Sequence, residues 1–164
     1  MNRGVLPLDG LKMTRSLRKS YRRFTYSFDC DPAAVIAGCA DRTRPNGWIT
    51  PDIVEAYLGL SRLGWVHSVE VWDPAGQLVG GLYGVAIGGL FAGESMFSRK
   101  SDASKSALVF LVDCLKRAGA SLLDTQWSTP HLASLGVIEM PREDYFRRLA
   151  PALSGPGPWT VPGR

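Results

Sequence analysis

Apolar positions along this chain recur with two periods, and blocks of one alternate with blocks of the other. Phe24-Thr-Tyr-Ser-Phe28 alternates aromatic and polar side chains, which predicts a short strand buried on one face. Asp31-Pro32 then offers a helix N-cap and a first-turn proline, followed by an apolar face of Ala33, Val35, Ile36 and Cys39. A loop, Arg42–Gly47, leads to Trp48. Thr50-Pro51 opens a second helix in the same way, with Ile53, Val54, Tyr57, Leu58 and Leu60 inward and Gly64 as its stop. Three strands come next: Val66–Trp72, Gln77–Ile87 and Leu90–Phe97, separated by the turn residues Asp73–Gly76 and Gly88-Gly89. They predict an antiparallel meander. Its many glycines mark either close approach by another group or tight packing between elements. The clearest helical period runs from about Ser101 to Ala118, with Ala107, Leu108, Leu111, Leu115 and Ala118 in one stripe, Lys116-Arg117 in the last turn and Gly119 beyond it. Ser121–Gln126 reads as a buried strand, 130–136 and 141–150 as short helices, and the Pro/Gly-punctuated segment 154–164 as a tail. This order predicts an α/β (α+β) domain: a mixed sheet with flanking helices.

Composition narrows the class. The chain has 164 residues, 45% hydrophobic and 21% charged, which is one globular domain rather than a disordered or fibrous chain. No apolar run approaches the roughly 18 residues of a membrane span, and Met1 opens onto polar residues rather than a signal-peptide core. Cys30, Cys39 and Cys114 lack metal or disulfide spacing and read as reduced thiols of a cytoplasmic protein. Charge is uneven. Residues 1–24 carry seven cations (Arg3, Lys12, Arg15, Arg18, Lys19, Arg22, Arg23) against Asp9 alone, whereas the other 140 residues carry 12 cations and 14 anions. Lys12, Arg15, Arg18 and Arg22 recur at helical spacing, so their face repels itself unless solvent or a polyanion screens it.

Candidate chemistry is sparse. No phosphate-binding loop, dinucleotide fingerprint, HExxH or GxSxG is present. Of the two histidines, His67 reads as a hydrogen-bonded strand residue and His131 as a helix-start residue or a substrate contact. The pattern implies no metal and no cofactor. Two clusters stand out. In Gly93-Glu94-Ser95-Met96-Phe97-Ser98-Arg99, a glutamate interrupts an apolar strand, a costly place for a charge unless it is paired or faces a cleft. In Leu122-Leu123-Asp124-Thr125-Gln126, strand alternation puts Asp124 and Gln126 on one side of the sheet. A buried ion pair for Glu94 and a capping role for Asp124 compete with an acid–base site.

Seven stretches bring a family into view: Trp48-Ile49, His67–Trp72, Val79-Gly-Gly-Leu-Tyr-Gly-Val85, Gly93–Arg99, Asp102-Ala-Ser-Lys105, Asp124-Thr-Gln126 and His131–Gly136. In this order the sequence closely resembles the leucyl/phenylalanyl-tRNA–protein transferases, from about Val5 to Leu149. The resemblance implies a fold similar to the GCN5-related N-acetyltransferases. It implies transfer of leucine or phenylalanine, with methionine as a third donor, from aminoacyl-tRNA to proteins beginning with Arg or Lys, marking them for degradation in the cytoplasm. It implies a monomer with no membrane partner. Carried over position by position, Asp124, Glu94 and Gln126 become catalytic. Leu82, Phe91, Ser95, Met96, Leu111, Leu115 and Leu123 surround the transferred side chain, though from sequence alone the apolar members read better as plain core. Trp48 and Tyr57 meet the terminal adenosine, and Arg15, Arg18, Lys19, Arg22 and Arg23 contact tRNA phosphates. Residues 1–24 become the remnant of an aromatic-rich N-terminal lobe, 25–153 the catalytic domain and 154–164 the tail. Two alternatives stay open: a coenzyme A-dependent N-acyltransferase, whose pyrophosphate signature is missing here, and a non-catalytic tRNA- or peptide-binding remnant.

Overall fold

The computed structural model describes residues 1–41, 43 and 47–156; most of the predicted 42–47 loop and the end of the tail lie outside the described residues. Seven strands and six helices follow one another as β1 (Asn2–Val5), α1 (Arg15–Tyr21), β2 (Thr25–Phe28), α2 (Pro32–Cys39), α3 (Pro51–Arg62), β3 (Val66–Trp72), β4 (Leu78–Ile87), β5 (Leu90–Ser98), α4 (Ala103–Arg117), β6 (Leu122–Gln126), α5 (Pro130–Ser134), β7 (Ile138–Pro141) and α6 (Arg142–Leu153). The strands form one mixed sheet in the order β2-β3-β4-β5-β6-β1-β7, so the predicted mixed α/β class holds. Strands β1 and β7 were not predicted. Among the described residues no helix is long and apolar enough to cross a membrane.

The chain divides into two compact units. One comprises Arg15–Gly84 and Glu94–Phe110. Its helices begin as the caps predict: the Asp31 carboxylate accepts the Ala34 N–H at 3.0 Å, and the Thr50 hydroxyl accepts that of Ile53 at 3.4 Å. Helix α3 buries none of its residues fully, and Leu60, expected inward, is exposed, because only part of the predicted apolar stripe is covered. Strand β3 is buried at every position up to Val71, on both faces, so its polar members need internal partners. Glu70 has four. It is 0% exposed and accepts from Ser27 Oγ (2.7 Å), Ser68 Oγ (2.6 Å) and the Cys30 and Asp31 N–H groups (3.2 and 3.1 Å). His67 is the hydrogen-bonded strand residue expected, with Nδ1 2.5 Å from Asp29 Oδ2. Close packing accounts for Gly80 and Gly81 of β4: a Cβ on Gly80 would lie 2.7 Å from the Ala103 Cβ, and one on Gly81 would lie 2.7 Å from the Val69 carbonyl oxygen. Tyr21, Tyr26 and Phe110 stack in sequence, with centroids 4.5 and 5.2 Å apart, and hold α1 by its apolar side.

The other unit comprises Met1–Thr14, Val85–Gly93 and Leu111–Arg164. Val5, Leu90, Leu122, Met140, Tyr145 and Ala152 form its core, with Leu149 packed against them. Strand β1 pairs antiparallel with β6 and with β7, and its register against β6 shifts between Gly4 and Val5. Strands β5 and β6 run parallel, with Ala92 opposite Asp124. Strands as short as β1 and β7 gain their stability from partners rather than from their own pattern.

Candidate active site

Asp124 ends the apolar run of β6 and is 1% exposed, so its charge requires compensation. It receives it from three elements. Arg3 of β1 grips both oxygens: Nε lies 3.1 and 3.0 Å from Oδ1 and Oδ2, and a terminal nitrogen lies 2.8 Å from Oδ2. Tyr145 of α6 donates its hydroxyl to Oδ2 at 2.6 Å, and the Gln126 N–H donates to Oδ1 at 2.6 Å. An ionised carboxylate offers about four lone-pair sites, and these donors occupy them. The bond to Asp124 raises the Arg3 pKa, keeping the guanidinium charged. Burial, and then the bond to Asp124, push the Tyr145 phenol up to about 12, so near neutrality it only donates. Asp124 is thus no helix cap. It is a buried, fully occupied carboxylate whose lone pairs hold other groups in place.

Gln126 is what it holds. The residue sits at φ 69°, in the left-handed region that side chains other than glycine seldom adopt, and its Nε2 donates to the Gly93 carbonyl at 2.9 Å. Such outliers persist where the surroundings enforce them, and they gather at functional sites. The amide is half-buried, at the end of the strand, with Trp127 beside it 60% exposed. Gly93 itself has room. Among the described residues a Cβ there would meet only the Asp124 carbonyl oxygen, at an ordinary 3.5 Å, so packing does not explain this glycine as it explains Gly80.

Glu94 belongs to a second cluster, with Tyr57 and Trp48. It is half-buried and accepts the Tyr57 hydroxyl at 2.8 Å. Burial, and then that bond, push the Tyr57 phenol far above its ordinary value, so it stays a donor. Trp48, 45% exposed, meets the Tyr57 ring edge-on at 6.3 Å, which leaves one aromatic pair partly open to solvent. Tyr57 also lies edge-on to Tyr83 at 5.0 Å, and the Tyr83 hydroxyl is buried without a hydrogen-bond partner among the described residues.

Of the other predicted positions, Leu82, Phe91, Leu111, Leu115 and Leu123 are buried, while Ser95 and Met96 are half-buried. Arg15, Arg18, Lys19, Arg22 and Arg23 are all exposed. His131 is exposed near the start of α5. No group of three or more metal-ligating side chains occurs among the described residues. Sequence reasoning missed Arg3 and Tyr145. The available signal was the isolated acid of β6, which demanded a cation without saying which.

A family model described as leucyl/phenylalanyl-tRNA protein transferase matches residues 5–150. Among curated proteins, the leucyl/phenylalanyl-tRNA–protein transferase of Ruegeria pomeroyi is 54% identical over 157 residues, covering 94% of this chain and 73% of its own. That of Rubrobacter xylanophilus is 50% identical over 153 residues, covering 92% and 79%. Likeness to solved structures extends to the fold alone. L-PGS from Bacillus licheniformis aligns with TM-score 0.51 at 16% identity, over 80% of this chain and 48% of that one. A conserved protein of unknown function from Bacteroides thetaiotaomicron aligns with TM-score 0.53 at 11% identity, over 80% and 52%. With half of its residues shared with such relatives, and the matched segment including both acid clusters, the chain belongs to the leucyl/phenylalanyl-tRNA–protein transferase family.

Proposed function

We propose that this protein moves leucine, phenylalanine or methionine from aminoacyl-tRNA to the terminal amine of proteins that begin with Arg or Lys, and that Asp124, Gln126 and Glu94 carry the reaction. The product is marked for degradation in the cytoplasm. The donor is an ester and the product an amide, so the exchange runs downhill. The acceptor's nitrogen lone pair attacks the ester carbonyl carbon, the bond to the terminal ribose oxygen breaks, and the proton lost by the amine passes to that oxygen. The amine, with a pKa of about 7.7–8.0, is largely protonated near neutrality and must first shed a proton. Holding the reactants in attack geometry supplies several kcal/mol, on the order of 7–11 in well-oriented systems.

The supporting observation is the half-buried amide of Gln126, fixed at both its backbone and its side chain. A fixed amide suits polarising an ester carbonyl as charge develops on its oxygen. Asp124, with its lone pairs occupied, acts through Gln126 as an orienting group rather than as the base. Glu94 is the contact for the acceptor's ammonium group. Trp48 and Tyr57 offer rings on which the terminal adenine stacks, and the exposed cations from Arg15 to Arg23 meet the acceptor-stem phosphates.

Incubation with radiolabelled leucyl-, phenylalanyl- and methionyl-tRNA and a peptide beginning with Arg tests this reading. Label is expected in the peptide, and not in one beginning with Glu. Folded protein that transfers none of the three refutes it.

A further inference from the structure

We infer that Arg3 and Tyr145 are positioning residues for aminoacyl transfer: they clamp the Asp124 carboxylate so that it holds Gln126 in its left-handed turn. The inference rests on the reading that Gln126 acts on the reacting groups.

Three observations carry it. Arg3 and Tyr145 approach one carboxylate from different elements, β1 and α6, and the Arg3 guanidinium also lies 5.4 Å from the centre of the Tyr145 ring. A forked guanidinium fixes the plane of a carboxylate in a way a single donor does not. With Oδ2 taken by Tyr145 and a guanidinium nitrogen, Oδ1 is aimed at the Gln126 N–H. Second, β1 is shaped around the same turn. Gly4 lies opposite Gln126, and a Cβ there would fall 2.4 Å from both the carbonyl carbon and the oxygen of Trp127. The register shift between Gly4 and Val5 follows at once, and such irregularities re-aim neighbouring side chains. One strand therefore provides both the grip on Asp124 and the room for residues 125–127. Third, the held residue is in a costly conformation, φ 69° without being glycine, which relaxes unless its surroundings enforce it. Stability alone is a weak account of the clamp, because buried ion pairs often contribute little compared with apolar replacements.

The test compares Arg3→Ala, Tyr145→Phe, Asp124→Asn and the double variant Arg3→Ala/Asp124→Asn in steady-state transfer from leucyl-tRNA to an arginine-starting peptide. Arg3→Ala and Tyr145→Phe are expected to lower kcat by about ten- to a hundredfold and leave KM for both substrates within about twofold. In the Asp124→Asn background, Arg3→Ala is expected to add no further loss, since its effect passes through that carboxylate. Added methylguanidine is expected to restore activity to Arg3→Ala, whose side chain is 42% exposed, but not to the double variant. Losses that multiply in the double variant, or wild-type kcat in both single variants, overturn the clamp. Wild-type activity in Asp124→Asn overturns instead the site reading beneath it. If Arg3→Ala does not fold, Arg3→Lys and Tyr145→Phe decide the matter, with the same fall in kcat expected at an unchanged melting temperature.

Discussion

Tyr83 keeps its side chain entirely out of water, yet among the described residues its hydroxyl finds no hydrogen-bond partner. A buried donor without a partner costs about 1–3 kcal/mol, while the ring around it packs as well without the oxygen. Tyr83→Phe is therefore expected to raise stability by about 1 kcal/mol, read as a higher urea midpoint at constant slope. A loss of similar size shows that the hydroxyl has a partner in solution. Gly93 poses the converse question, because a methyl group fits there without displacing anything. Gly93→Ala is expected to melt with the wild type and to transfer leucine at least about tenfold more slowly, as happens where substrate must approach the backbone closely. Equal rates refute that use of the glycine. At this scale the sequence was legible in part. The isolated acid in β6 advertised a site, but its cation stands 121 positions away, and spacing carries no information over that distance. Nor does the identity of Gln126 announce a left-handed backbone, which its bond to Asp124 helps to hold.

Elements were legible where punctuation and period agreed. The capped starts of α2 and α3 and the long stripe of α4 stand within two residues of their expected ends. Strands β1 and β7 escape because Asn-Arg-Gly-Val and Ile-Glu-Met-Pro have no strand pattern of their own; β1 is a strand because β6 and β7 flank it, and β7 because β1 lies beside it. Strand β3 is legible as a strand, but its sequence does not show that both faces are covered and that Glu70 is buried within a shell of donors. That shell ties β2, β3 and the start of α2 together. Glu70→Gln keeps the shape but turns an NH2 toward groups that are themselves donors, so a loss of about 2–4 kcal/mol in urea unfolding is expected. A loss below 1 kcal/mol would mean that water replaces the carboxylate there. At the turn from β3 to β4, the bond from Lys100 at 2.6 Å, aided by the Gln77 N–H, holds the Asp73 carboxyl below its ordinary value. A depressed folded-state pKa adds stability above the unfolded value of about 3.9 and loses it as pH falls through the folded value. Lys100→Met is thus expected to be less stable at pH 7 and to lose less on acidification below about pH 4, measured by urea midpoints across pH. Parallel acid limbs for the two proteins would refute the coupling.

Over the whole molecule, charge is the property that the sequence displayed most openly. The first 24 residues hold seven of the 19 cations, and five of these, from Arg15 to Arg23, stand exposed on α1 and just after it. The helix is held from behind: Leu17 is buried, Tyr21 stacks on Tyr26, and Ser20 donates to Asp102 at 2.7 Å. So anchored, the cations face solvent at little further entropic cost when a polyanion arrives. Contacts between cations and phosphates release condensed counterions, so affinity falls linearly with salt on logarithmic axes, with a slope of about 0.7–0.9 per contact. Replacing both Arg18 and Lys19 by Ala should weaken tRNA binding and reduce that slope by about 1.5, measured by fluorescence anisotropy between 50 and 300 mM salt, values chosen at about the range where such slopes are read. Replacing the equally exposed Arg142 and Arg148 on α6 should alter the slope by less than about half as much, because general attraction is shared by all cations whereas phosphate contacts are local. Equal changes for the two pairs would reduce α1 to a contributor to net charge, and a larger change for the α6 pair would move the tRNA to the other unit.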